Sequence, residues 1–102
     1  EFRRVLFRSV VSLYTFQDEK AVIKEVNSTQ YGLSASIWTR DEARANRVAK
    51  SIHSGLVWIN CWFARDLRVP FGGQKRSGVG REGGKHSLDF FSEWKSVCLR
   101  RN

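Results

Sequence analysis

Two arginines flank an aspartate in Arg65-Asp66-Leu67-Arg68, and a glycine-rich run begins two residues later. A guanidinium offers a planar fork of donors that matches a carboxylate through two hydrogen bonds. The cluster therefore has two readings. It is a local salt bridge on a solvated loop, or it presents a guanidinium to a carboxylate ligand. The run that follows, Pro70 to Glu82, is Pro-Phe-Gly-Gly-Gln-Lys-Arg-Ser-Gly-Val-Gly-Arg-Glu. Its four glycines in thirteen residues imply backbone that takes conformations, or approaches neighbours, that a Cβ forbids. Upstream lies Leu56-Val57-Trp58-Ile59-Asn60, an apolar stretch that reads as a buried strand. A glycine-rich loop after such a strand is where α/β enzymes tend to build sites.

Other patterns carry less. Gly78 to Gly83 matches G-x-G-x-x-G literally, but Gln74-Lys75-Arg76-Ser77 before it is not strand-like and no acidic residue follows at the spacing a ribose needs. Gly73 to Gly78 spaces like a phosphate loop, yet Val79 stands where its lysine belongs. Nothing places Cys61 beside His53 or His86, so Cys61 reads as a small apolar residue rather than a nucleophile. No two acidic residues form a convincing acid/base pair. Lys and Arg interleaved with Trp38, Trp58, Trp62, Phe63 and Trp94 admit a nucleic-acid-binding module as a rival reading. Trp38 and Trp58 sit inside apolar runs, where core packing is the simpler account.

The elements that must position these residues alternate. Val10 to Phe16 reads as a strand, and Asp18 caps a helix to about Val26, with Glu19 in its first turn. Tyr31-Gly32 reads as a turn, and Leu33 to Thr39 as a second strand. Asp41 caps a second helix, whose Ala45, Val48, Ala49 and Ile52 share a face. Gly55 closes that region, and Leu56 to Asn60 is the third strand. A loop runs from Cys61 to Lys85, long enough to imply function or disorder. Ser87 then caps a short helix carrying Leu88, Phe91 and Trp94, and Ser96 to Arg100 alternates as a last strand. Strands alternating with helices predict an α/β fold with a mainly parallel sheet and flanking helices.

Residues 1–9, Glu-Phe-Arg-Arg-Val-Leu-Phe-Arg-Ser, look like a translated sequencing adapter and are set aside. Of the 102 residues this leaves 93, enough for one small core. The chain has no Met, which predicts a piece of a longer protein. The excluded residues carry Arg3, Arg4 and Arg8 against Glu1, so the net charge of +8 falls to +6. The remaining basic residues are scattered, as on a solvated surface, and nucleic acid is not the expected partner. Cys61 and Cys98 have neither metal nor disulfide spacing, so a reducing, cytoplasmic location is expected. Asn27-Ser28-Thr29 is a glycosylation sequon taken as chance. No apolar run reaches the roughly 20 residues that cross a bilayer, and no membrane partner is expected.

Several ordered motifs, spread over Val10 to Cys98, resemble the C-terminal part of the aldehyde dehydrogenase family. Tyr31-Gly32-Leu33-Ser34-Ala35 is similar to the family's Tyr-Gly-Leu-x-Ala, Leu56 to Asn60 to its strand ending in Asn, and Pro70 to Glu82 to its C-terminal signature. Asn60-Cys61-Trp62-Phe63-Ala64-Arg65-Asp66-Leu67-Arg68 resembles the branch that oxidises 2-hydroxymuconic and 2-aminomuconic semialdehydes. The resemblance implies a truncated part of the catalytic domain, residues 10–95, followed by an oligomerisation strand in 96–102. It implies a parent that is a homo-dimer or homo-tetramer and oxidises an aldehyde to the acid with NAD, NADP not being excluded. An aldehyde dehydrogenase of another substrate branch is the alternative. In the family a cysteine thiolate attacks the aldehyde, hydride passes to NAD and a glutamate-activated water releases the acid. That cysteine, that base and the nucleotide-binding domain match nothing here, so the piece alone is expected to be inactive. Arg65 takes the role of contacting a substrate carboxylate, with Arg68 the second choice. By the same resemblance Phe71 corresponds to the aromatic that lines the aldehyde tunnel, and Phe63 falls at a neighbouring tunnel position. Glu82 matches a glutamate implied in proton relay, its alternative being an ion-pair partner for the loop.

Overall fold

Asp18 opens the first helix as its sequence predicts. Its carboxylate accepts from Ala21 N at 2.6 Å, answering one of the donors a helix start leaves free. The computed structural model describes residues 10–101, and in it α1 spans Glu19–Ser28. A two-residue strand β1 (Tyr31–Gly32) and then β2 (Ser34–Ile37) follow. Asp41 caps α2 (Glu42–Ser51) in the same way, accepting from Arg44 N at 2.9 Å. Next come β3 (Leu56–Ile59), β4 (Gln74–Lys75) and α3 (Gly84–Phe91).

Among the described residues the strands form two pairs. β2 and β3 lie parallel, Ser34 opposite Leu56 and Ile37 opposite Ile59, with α2 as the crossover between them. β1 and β4 pair antiparallel, Tyr31 opposite Lys75. Ala45 on α2 and Trp58 on β3 are the buried apolar side chains, so the core lies where α2 meets the parallel pair. α1 is tied to α2 at two places. The Arg47 guanidinium donates twice to Glu19, 2.9 Å each, and Arg44 adds an ion pair. Asn27 donates to Ser51 O and accepts from His53 N, both at 2.8 Å, so this sequon asparagine is structural. Where Gly55 meets the Gly72 carbonyl a Cβ would overlap it, which explains one glycine of the loop junction.

Five expectations are corrected. Tyr31-Gly32 is a strand, because Gly32 pairs with Gln74; a partner so distant in sequence gives no local signal. The long loop Cys61 to Lys85 contains β4 and a bridge between Phe71 and Glu82. Ser87 lies inside α3, whose start is Gly83 at φ +92° without a side-chain cap, and the helix ends before Trp94. Val10 to Phe16 forms no ladder, and neither do residues 96–101. Alternating β-branched residues make a strand only where another strand supplies hydrogen bonds, and none within the described chain lies beside them. Residues 1–9, read as an adapter, lie outside the described residues. Among the described residues no helix is long and apolar enough to cross a membrane, and no cluster of His, Cys, Asp and Glu is placed to hold a metal.

Candidate functional site

The site grows from the end of β3. Asn60 takes a left-handed conformation, φ +53°, which Asn tolerates better than most residues. Its side chain clips the chain to the end of β2, accepting from Thr39 N at 2.9 Å and donating to Thr39 O at 2.8 Å. The departing loop is thereby aimed. Trp58, 8% exposed, then fixes the loop from below: its indole N–H donates to Ala64 O at 2.9 Å. Trp62 and Phe63 pack on the same indole, their ring centroids 5.1 and 6.0 Å away. A buried indole seeks a partner for its one donor. Here that partner is the carbonyl just before Arg65.

Arg65 is held between two residues that the backbone has already joined. Phe71 and Glu82 exchange backbone hydrogen bonds, 2.7 Å from Phe71 N and 2.8 Å from Glu82 N. The Arg65 guanidinium carbon stands 4.6 Å from the centre of the Phe71 ring, within cation–π range, and its Nη2 donates to Glu82 Oε1. Below them is a cavity of about 270 Å³, its apolar wall made by Leu56, Trp58, Val69 and Phe71. Arg65 and Asp66 are its two charged lining residues. An apolar pocket with a few convergent polar groups is the form small-molecule sites take.

Arg68 faces elsewhere. Its Nε donates to both Asp66 oxygens, at 2.9 and 3.1 Å, and its Nη2 adds a third bond. The fork and the Arg68 backbone N–H hold the Asp66 carboxyl below its ordinary range, and Asp66 pushes the Arg68 guanidinium further up. Of the two readings of this cluster, the local salt bridge is realised by Arg68 and Asp66, while Arg65 pairs with Glu82 beside the cavity. Phe71 lines the cavity as well. Phe63 does not; it belongs to the aromatic cluster behind the wall. The sequence reading treated Trp58 as core alone and missed both the Asn60 clip and Asp66 as a cavity residue. Asn60 and Asp66 carried a signal in their positions, one ending the strand and one between arginines.

The glycines of 78–83 do not fit a dinucleotide. Arg81 Nη1 donates to the Gly73 and Gly80 carbonyls, both at 2.7 Å, folding the loop onto itself. Gly80 lies so close to the Phe90 ring that a Cβ would strike it, so this glycine serves packing rather than a phosphate.

The chain belongs to the aldehyde dehydrogenase family, whose profile matches residues 2–97. It is 52% identical over 95 residues to a 2-aminomuconic semialdehyde dehydrogenase of Danio rerio, an alignment covering 93% of this chain and 20% of that protein. It is 47% identical to a 2-hydroxymuconic semialdehyde dehydrogenase of Pseudomonas sp. strain CF600, again over 93% and 20%. An aldehyde dehydrogenase from Bacillus cereus, solved as its NAD+ complex, superposes with a TM-score of 0.77 at 41% identity, over 80% of this chain and 17% of that one. The chain thus spans about a fifth of the curated relatives it matches.

Proposed function

We propose that this chain is the substrate-recognition segment of an NAD-dependent dehydrogenase that oxidises a carboxylate-bearing semialdehyde of the muconic type to the acid. The observation that supports the reading is Arg65, set over the Phe71 ring at an apolar cavity. In this reading the Arg65 guanidinium takes the substrate carboxylate through two parallel hydrogen bonds, and Phe71 lines the path of the conjugated chain. Phe63 acts through Trp58, supporting the wall rather than touching substrate. Glu82 positions Arg65 through the ion pair. The names of the relatives from Danio rerio and Pseudomonas support the substrate class, and the NAD+ complex of the Bacillus protein supports the cofactor. When bound, NAD would supply the hydride acceptor and would be held by other parts of the parent, which would also carry the thiolate and the general base. NADP stays open as the alternative nucleotide. A cytoplasmic homo-dimer or homo-tetramer completes the proposal.

A second role for Glu82, proton relay toward the general base, is favoured by one detail. Only its Oε1 is engaged by the protein among the described residues, which leaves Oε2 for water. The deciding experiment is Arg65→Gln in the full-length enzyme. Removing one partner of a desolvated charge pair costs about 2–5 kcal/mol. The kcat/KM for the carboxylated aldehyde is therefore expected to fall at least about 30-fold, with little change for a neutral aldehyde. Equal loss on both would point to another substrate branch of the family.

A further inference from the structure

We propose that Arg68 is a positioning residue for the substrate carboxylate, acting through Asp66: it holds and neutralises a carboxylate that would otherwise capture Arg65 and repel an anionic ligand. The inference rests on Arg65 being the carboxylate-binding residue.

Asp66 follows Arg65 directly and lines the same cavity. Left unpaired, it would oppose Arg65 in two ways. It would offer the guanidinium a competing partner, and it would turn a negative charge toward the arriving carboxylate. Arg68 prevents both. Its fork covers both Asp66 oxygens, and the turn beneath is fixed by Arg68 N to Asp66 Oδ1 at 2.9 Å and Val69 N to Asp66 O at 3.0 Å. The Arg68 side chain is 89% exposed and is not a lining residue of the cavity, so it does not bind the ligand itself. The charge count makes the same point. Arg65, Glu82, Asp66 and Arg68 sum to zero, whereas the first three alone carry −1 at a site read as taking an anion. The depressed Asp66 carboxyl agrees with this arrangement, since hydrogen bonds from Arg68 are what lower it.

The test uses the full-length enzyme with a carboxylated and a neutral aldehyde, and the variants Arg68→Gln, Asp66→Asn, the double variant and Arg65→Gln. Arg68→Gln is expected to lower kcat/KM for the carboxylated aldehyde about fivefold, mainly through KM, the size an exposed charge exerts. Asp66→Asn in that background is expected to restore it to within about twofold, because Asn keeps the turn acceptor and removes the charge. Equal loss on both aldehydes, or no rescue by Asp66→Asn, overturns the inference. If Arg65→Gln is selective while Arg68→Gln is not, only the role of Arg68 falls. If Arg65→Gln is not selective, the carboxylate reading falls and this inference with it. Should Arg68→Gln fold poorly, Arg68→Lys and Asp66→Asn alone decide. The lysine keeps the charge and is expected to preserve selectivity, and the single Asp66→Asn to match or exceed the parent on the carboxylated aldehyde. Selective loss in either overturns it.

Discussion

Arg65 owes its position to three neighbours, each fixed before it. Trp58 sets the carbonyl that precedes it, Phe71 supplies the face beneath its guanidinium and Glu82 supplies the charge beside it. Phe71 and Glu82 are joined through their backbones, which sets the ring and the carboxylate side by side. Glu82→Gln in the full-length enzyme is expected to lower kcat/KM for a carboxylated aldehyde about tenfold, the value of one hydrogen bond to a charged group. The kcat on a neutral aldehyde should be spared. A fall in kcat on both aldehydes with a shifted pH profile would instead make Glu82 a proton relay. That Arg68 rather than Arg65 pairs with Asp66 was not legible in the sequence. Both stand beside Asp66, and the turn that hands Arg68 to Asp66 exists only once the loop has folded.

At the scale of elements, the chain is held by caps and clips rather than by a large core. Asn60 joins the ends of β2 and β3 with two hydrogen bonds and takes a positive φ that strains other residues. Asn60→Ala is expected to destabilise the full-length protein by about 1–2 kcal/mol, read as a shift in its urea midpoint. It should also blunt substrate selectivity, since the Arg65 loop leaves from this point. The α1–α2 clamp gives a pH signature. Hydrogen bonds from Arg47 hold the Glu19 carboxyl below its ordinary range, with Arg47 and Arg44 charges adding to the effect. A carboxyl depressed in the folded state stabilises fully above its unfolded pKa of about 4.3, and that contribution fades as pH falls through the lower folded value. The gap in urea midpoint between the parent and Glu19→Gln should be widest near neutral pH and close on acidification. A gap that persists in acid would show that the clamp works by packing instead.

At the scale of the whole molecule, the exposed apolar surface dominates. Leu13, Tyr14, Val79, Trp94 and Val97 are each more than four-fifths exposed, and the radius of gyration is 19.3 Å against ~13 Å for a compact domain of similar length. Surfaces of this kind are covered by other protein in stable folds. Expressed alone, the chain is expected to bind a hydrophobic dye and to unfold without a sharp transition. A soluble monomer with a cooperative thermal transition would contradict that.

The sequence by itself determined the first two helices, the parallel pair and the family. Asp18 and Asp41 mark helix starts through short-range hydrogen bonds, the apolar run at 56–59 marks the central strand, and the ordered motifs up to Glu82 mark the kinship. Tertiary structure alone decided the pairing of Gly32 with Gln74, the bridge from Phe71 to Glu82 and the ion pair of Arg65 with Glu82. The physical reason is range. A cap or an amphipathic face is written within a few residues, whereas these contacts join groups from 11 to 42 positions apart, and which pair forms depends on how the chain between them folds.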